Sequence, residues 1–371
     1  MLTEKSMPAL SNEERNFLAP VGYEDDARRS GTCILVDQSV RYVHSEDPQV
    51  EIMPLKDALG LYSWVQDLMF GLISPDENEH VKLAAERTED PVGHFVRVRE
   101  GAKVRLPLQT FSVIGTPQGR QFIHDITVIE KGAEVEMISG SAVPESVRAG
   151  HHVSIGEAYI HEGAVCRSLT IEQWGVDMDI HSYNRTKVGA GARVSSNQVL
   201  VAPVKHHASN SVSFLGENAV ANDHSVVFAP AGANRIMRSE THLNGKGARS
   251  ESLTRMVTAG GSITNEARLV GEAADTYGFL GCDGLKMTDE GEILSVPALL
   301  ARHSKSQLSH EASVGMISEE KMAYLMSSGM SEDLARDLIV EGFLNLKEQD
   351  LPSEVRSSVK AMIEAAKSGS M

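Results

Sequence analysis

A Gly-Ala pair returns at a nearly constant interval through the middle of this chain, and that interval limits the folds open to it. Gly101-Ala102-Lys103-Val104, Gly132-Ala133-Glu134-Val135 and Gly163-Ala164-Val165-Cys166 come first. Gly191-Ala192-Arg193-Val194, Asn218-Ala219-Val220-Ala221, Gly247-Ala248-Arg249-Ser250 and, more faintly, Glu272-Ala273-Ala274-Asp275 follow. Successive starts lie 25 to 31 residues apart, a spacing that marks solenoids. Between them run short alternating segments such as Phe122-Ile123-His124-Asp125-Ile126-Thr127-Val128-Ile129, the period of a half-buried strand. Glycine supplies a corner with positive φ, and alanine supplies a side chain small enough to sit inside it. Each unit therefore reads as one turn of a coil, paired edge to edge with the next at about 4.8 Å and buried only against its neighbours. The expected fold is mainly β, a right-handed parallel β-helix (β-solenoid) over residues 92–302. A β-sandwich with Gly-rich hairpins is the competing reading, but sandwiches have no such fixed period.

Helical segments are expected on both sides of this core. Ser11-Asn12-Glu13-Glu14 has capping-box spacing. Leu55, Leu59, Tyr62, Val65 and Met69 recur at helical intervals between Pro54 and Leu72, and Pro75 to Asp90 reads as a charged linker or short polar helix. Ser318 caps a helix with Glu319 and Glu320 in its first turn and an apolar stripe of Met322, Leu325 and Met326, stopped by Gly329. Ser331 opens a second (Leu334, Leu338, Ile339) ending at Gly342, and Ser353 a third with Val355, Val359, Met362 and Ile363 on one face. The division expected is a helical or mixed region over 1–91, the β-helix over 92–302 and a helical domain over 303–371, the helices covering the open edges of the stack.

Composition narrows the partners. With 35 Lys+Arg against 51 Asp+Glu the net charge is -16, which repels phosphate backbones and anionic lipid. Neither nucleic acid nor membrane is expected as a partner, and no apolar run approaches the length of a span. Three cysteines among 371 residues make no disulfide framework, so a cytoplasmic location is expected.

The chemistry-bearing residues lie late in the chain. Cys282, and the adjacent His310 and Glu311, supply a thiolate, an imidazole and a carboxylate, donor types that iron or zinc accepts. Taken singly, a lone cysteine is usually an inert buried thiol, and the other two are ordinary core or surface groups. His206 and His207, with His224 and His242, suggest a metal cluster, but neighbours on a strand point to opposite faces, so they read as structural. Cys33 carries no assigned role. The chain has no phosphate-binding loop of the Walker type. It also lacks the carboxylate/Arg groove of a β-helix lyase and the strict six-residue rhythm of a hexapeptide acyltransferase.

Leu308-Ser309-His310-Glu311-Ala312-Ser313-Val314-Gly315, then Tyr324-Leu325-Met326-Ser327-Ser328-Gly329-Met330-Ser331-Glu332 and Leu338-Ile339-Val340-Glu341-Gly342-Phe343, together resemble the SufB/SufD family of iron–sulfur cluster assembly proteins. His242-Leu243-Asn244-Gly245-Lys246-Gly247-Ala248-Arg249-Ser250 is similar to the same family, and the likeness covers roughly residues 92 to 345. Cys282-Asp283 and Glu311 resemble SufB-type subunits more than SufD-type ones, which keep the histidine matched by His310 and lack the Cys/Glu pair. Glu172-Gln173-Trp174 and Tyr183-Asn184-Arg185-Thr186-Lys187 resemble a SufB stretch that lines a sulfur-transfer path, with Trp174 and Lys187 at matching positions and Glu172 where the family has Gln. The family's second, sulfur-accepting cysteine has no counterpart, because Cys166 lies too close to Trp174.

The resemblance implies a scaffold, not an enzyme, on which an Fe–S cluster is built and passed to apo-proteins, with Cys282, Glu311 and His310 as its ligands and Trp174, Lys187 and Glu172 along the sulfur path. It implies a SufC-type ATPase docked on the C-terminal helices and a cysteine desulfurase or other sulfur donor. It also implies pairing through the β-helix with a second copy or a paralogue. One chain offers at most three of the roughly four ligands a cluster takes, so a homodimer with paired ligand sets is expected. The alternative is a SufD-like structural subunit that holds no cluster.

Overall fold

The computed structural model describes residues 8–86, 90–344, 357, 360 and 361. Nineteen strands are seen in it. They begin with β1 (Gly31–Val36), β2 (Ser39–Ser45), β3 (Val50–Pro54), β4 (His94–Val98), β5 (Leu108–Val113) and β6 (Gly119–Ile129). Next come β7 (Glu134–Ala142), β8 (Ala149–Ile160), β9 (Val165–Gln173), β10 (Asp177–Val188), β11 (Arg193–Leu200), β12 (His206–Leu215) and β13 (Val220–Pro230). The rest are β14 (Asn234–Leu243), β15 (Arg249–Ala259), β16 (Ser262–Gly271), β17 (Tyr277–Lys286), β18 (Glu292–Ala301) and β19 (Gln307–Met316). Alternate strands stack into two sheets. The first runs β19-β17-β15-β13-β11-β9-β7-β5-β1-β2 and the second β18-β16-β14-β12-β10-β8-β6-β4-β3. From β4 and β5 onward every pairing within the sheets is parallel and in unbroken register, as between β13 and β15 or β10 and β12. The molecule is thus a β-solenoid of about eight turns, as the repeat predicts.

The repeat works at the corner for the reason given above. Gly101, Gly132, Gly163, Gly191, Asn218 and Gly247 all have positive φ, and the N–H of each corner donates to a carbonyl in the next coil, as Gly132 does to Glu162 at 2.9 Å. Ala102, Ala133, Ala164, Ala192, Ala219 and Ala248 form one buried row behind them. The seventh repeat is displaced from the expected Glu272-Ala273. Its corner is Asp275, at φ 59, and Thr276 is fully buried in the alanine's place. Aspartate tolerates the left-handed region through its short polar side chain, so the glycine signal is lost.

The first 91 residues add strands as well as helices. β1 joins the first sheet parallel to β5, with β2 antiparallel outside it, and β3 lies antiparallel to β4. These antiparallel strands cover one end of the stack. The capping box forms on α1 (Asn12–Leu18). The expected helix from Pro54 to Leu72 is two shorter ones, α2 (Leu55–Leu61) and α3 (Ser63–Gln66), separated by the extended Tyr62 at φ -129. The polar stretch after Pro75 contains α4 (Glu79–Ala85), N-capped by Asn78. This whole strap lies on the outer face of the second sheet, where Ile73 and Val81 pack with Phe122, Val153, Ile155 and Tyr183.

The coil reaches one strand past the expected limit at residue 302, because Leu308, His310, Ala312 and Val314 continue the inward alternation of β17. α5 (Glu319–Ser327) follows with Ser318 as its cap, then α6 (Glu332–Leu344), which runs two residues past Gly342. The helix expected from Ser353 falls almost wholly outside the described residues. Among the described residues the helices do not cover the open end. Val340 and Leu344 of α6, with Leu18 and Val21, pack sideways on Phe111, Ile171, Val199 and Phe228 on the outside of the first sheet. The far end, β18 and β19, is left as an edge of each sheet. Among the described residues no helix is long and apolar enough to cross a membrane.

Candidate metal centre

Strand pairing sets which side chains share the inside of the coil. Thr110, Ser139, Thr170, Gln198, Ser225 and Thr254 stand in register on successive strands of the first sheet, and the next residue of that row is Cys282. A neighbouring inward row, Ser168, Ser196, Asp223, Ser252 and Leu280, ends at His310. From the second sheet Ser154, Ser182, Ser209, Met237, Asn265 and Ser295 face them. Together these rows enclose an internal cavity of about 350 Å³. Hydroxyls are usually found outside, so these inward polar rows, beside the apolar rows of the same coil, are an uncommon interior.

Cys282 continues the first row one strand beyond the cavity's lining, 2 % exposed and packed among Met237, Met256 and Ile263. Its Sγ accepts a hydrogen bond from Asn265 Nδ2 at 3.4 Å. Burial raises the thiol's pKa, partly offset by the neighbouring Ser295 and Asn265, so the group rests protonated. His310 lies on the same inward face, on β19. Glu311 does not. It stands in register with Gly281, so its side chain leaves the sheet on the outer face with Asp283, which accepts from Ser313 Oγ at 2.5 Å. One chain therefore puts two of the three expected ligands inside and the third at the outer rim. Cys33 and Cys166 are buried and unpaired. Burial pushes the Cys166 thiol up to about 12 and the Cys33 thiol up as well, which leaves both inert.

Of the three residues expected on the sulfur path, two meet. Trp174 Nε1 donates to Glu172 Oε2 at 2.9 Å, and Glu172 lines the lumen, where burial raises its pKa. Lys187 is apart from them, exposed on the outer face of β10, because the lumen side of that strand is taken by Ser182, Asn184 and Thr186. The structure adds residues that sequence reasoning passed over. Arg235, 1 % exposed, donates to Ala202 O at 2.5 Å, Phe228 O at 3.1 Å and His207 Nδ1 at 2.8 Å. Because Nδ1 of His207 accepts that bond, its 3.7 Å approach to Glu172 joins a neutral imidazole to the carboxyl and is not an ion pair. His206 and His207 point to opposite faces, as strand alternation requires.

His207 gives a pH prediction. Burial and the Arg235 charge hold its folded-state pKa well below 6.5. The unfolded chain therefore gains the proton first, and stability falls as pH drops below about 6.5, by about 1.4 kcal/mol per pH unit for one such group. Denaturant titrations from pH 7.5 to 5 should show His207→Asn with a shallower decline than wild type by about that slope. Equal slopes would contradict a buried neutral His207.

The sequence profile for the SufBD core domain of SUF-system FeS cluster assembly matches residues 112–343, the span that holds most of the lumen and Cys282. The chain belongs to the SufBD family. Relatives named iron–sulfur cluster assembly SufBD family proteins include one from Archaeoglobus fulgidus, 32% identical over 95% of both chains. Another, from Methanothermobacter thermautotrophicus, is 32% identical over 96% of this chain and 88% of its own. A third, from Pyrococcus horikoshii, is 33% identical over 75% of this chain and 62% of its own. SufBD proteins are thus linked to Fe–S cluster assembly.

Proposed function

We propose that this SufBD protein is a cytoplasmic scaffold of a SUF-type system, closer to SufB than to SufD, on which a nascent Fe–S cluster is assembled and then passed to apo-proteins. The observation that carries the reading is the row of inward hydroxyls that ends at Cys282. Sulfur from a cysteine desulfurase, or sulfide from another donor, travels past Glu172 and Trp174 along this lumen, whose serine and threonine groups can hydrogen-bond it, and a reductant supplies the two electrons that take desulfurase-derived sulfane sulfur to sulfide. Cys282 and His310 are the inward ligands, and Glu311 is the iron-receiving carboxylate at the rim. Lys187, on the outer face, takes no part in the lumen.

The open end supports an end-to-end homodimer. Leu299, Val314 and Met316 point inward in register, yet they are 36 %, 47 % and 52 % exposed because no further coil among the described residues covers them. A second copy placed there pairs the free strand edges and brings a second ligand set to the first. α5 and α6 leave Tyr324, Met326, Leu334 and Leu338 exposed, an apolar face suited to a SufC-type ATPase that supplies the energy for opening the scaffold. The scaffold itself turns over no substrate.

Anaerobic reconstitution with ferrous iron and sulfide tests the assignment. Wild type is expected to turn brown, Cys282→Ser to stay colourless, and Glu311→Ala to take up less iron. Equal absorbance in all three would remove Cys282 and Glu311 from the site, and a colourless wild type would favour a structural subunit without a cluster.

A further inference from the structure

We propose that the outer face of the second sheet carries a second, thiol-free site for a divalent transition-metal ion, built from His151, Asp179 and His181. Two turns of the coil create it. His151 on β8 is directly paired with Asp179 on β10, and His206 on β12 continues the same row. His181 stands two residues beyond Asp179, so strand alternation returns it to the same face. The Asp179 carboxylate lies between the two imidazoles, with Oδ2 at 3.0 Å from His151 Nδ1 and Oδ1 at 3.1 Å from His181 Nε2. All three donors lie within 4.8 Å of one another, the one such triad of His, Cys, Asp or Glu among the described residues.

Those separations suit chelation. An ion bound at about 2.0–2.2 Å to nitrogen and oxygen has adjacent ligand atoms about 3 to 3.5 Å apart. Two imidazoles and a carboxylate form a borderline donor set that zinc(II), iron(II) and cobalt(II) all accept. A second observation points the same way. The strap brings His80 of α4 over the site, its ring stacked on His181 at 3.6 Å and 6.0 Å from His151. His80 Nδ1 is buried without a hydrogen-bond partner. His206 approaches His181 from the other side at 5.5 Å. Four imidazoles thus gather around one carboxylate, and a fourth coordination position is open to water or to His80. Cys282 lies four strands away in the other sheet's edge direction, on β17, so the two centres do not share ligands.

Cobalt(II) titration of the full chain, stripped with a chelator and kept anaerobic, separates this site from the Cys282 centre. The expected result is a cobalt ion whose visible d–d bands come without a thiolate-to-cobalt charge-transfer band and persist in Cys282→Ser. His151→Ala and His181→Ala should weaken binding by about tenfold or more, since even outer-shell partners of a metal cost that much. Asp179→Asn keeps the size but replaces one carboxylate oxygen with an N–H donor, and should weaken binding likewise with an unchanged far-ultraviolet circular dichroism spectrum. The proposal is overturned if wild type binds no cobalt. It is equally overturned if the only cobalt signal has a thiolate band that Cys282→Ser abolishes and Asp179→Asn leaves untouched.

Discussion

Leu299→Arg combined with Val314→Arg is expected to abolish the proposed end-to-end dimer and leave a folded monomer. Leu299 is in register with the fully buried Leu269, and Val314 with Gly284. In the preceding coils these positions face the interior. At the last coil they are exposed, along with the unpaired backbone edges of β18 and β19, which are a template for another chain. Covering each apolar side chain contributes about 1.5–3 kcal/mol, and two arginines there replace that gain with the cost of burying charge. Association should weaken at least about 100-fold, equivalent to about 2.7 kcal/mol. The isolated chain already exposes both residues, so its melting temperature should stay close to wild type. Light scattering after size exclusion reads the outcome directly, and a dimer that survives both substitutions would move the interface elsewhere.

The second large effect concerns the strap. Glu157 on β8 has a fully buried side chain. Its Oε1 accepts the N–H groups of Leu72 at 2.5 Å and Ile73 at 3.2 Å, and its Oε2 accepts Phe70 N–H at 2.7 Å and lies 2.7 Å from His124 Nε2. One carboxylate therefore holds the turn in which Phe70 adopts φ 59, and Arg185 fastens the strap again by its ion pair with Glu77. Glu157→Ala removes the acceptor from three backbone donors and leaves His124 without its partner. Breaking a buried charged network in this way costs about 3–5 kcal/mol, which should appear as a lower denaturation midpoint and faster proteolysis between residues 62 and 86. Unchanged proteolysis would mean that the strap is held by Ile73 and Val81 packing alone.

The sequence made the coil legible because its corners depend on residue type. A positive φ and a buried row of small side chains leave glycine and alanine few substitutes, so six corners could be placed by number. The seventh escaped because Asp275 and Thr276 meet the same two requirements with other residues. β1, β2 and β3 were hidden for a different reason. They enter the sheets from a segment with no repeat, two of them antiparallel, so periodicity had nothing to report. The helix from Pro54 to Leu72 matched a helical spacing that Tyr62 interrupts, since those side chains are held by packing on the outer sheet instead of by one continuous helix.

At the site, residue types were readable and faces were not. Cys282 and His310 were identifiable, but their common inward face and the outward Glu311 follow from strand pairing at β19. The alternation that sends His206 and His207 to opposite sides also separates His310 from Glu311, once residues 307–316 are known to be a strand. The polar lumen was less visible still. Serine and threonine at alternate positions read as the solvent side of a strand, and only the register turns them into an interior row. His151, Asp179 and His181 are separated in sequence by one turn of the coil, so no local motif announces them.

Native mass spectrometry of the anaerobically reconstituted protein tests the central claim most directly, that two copies share one cluster at the Cys282 end. The account predicts a dimer of two chains carrying a single cluster, and a Cys282→Ser protein with no cluster mass. Monomers that each carry a complete cluster, or a cluster retained in Cys282→Ser, would contradict it.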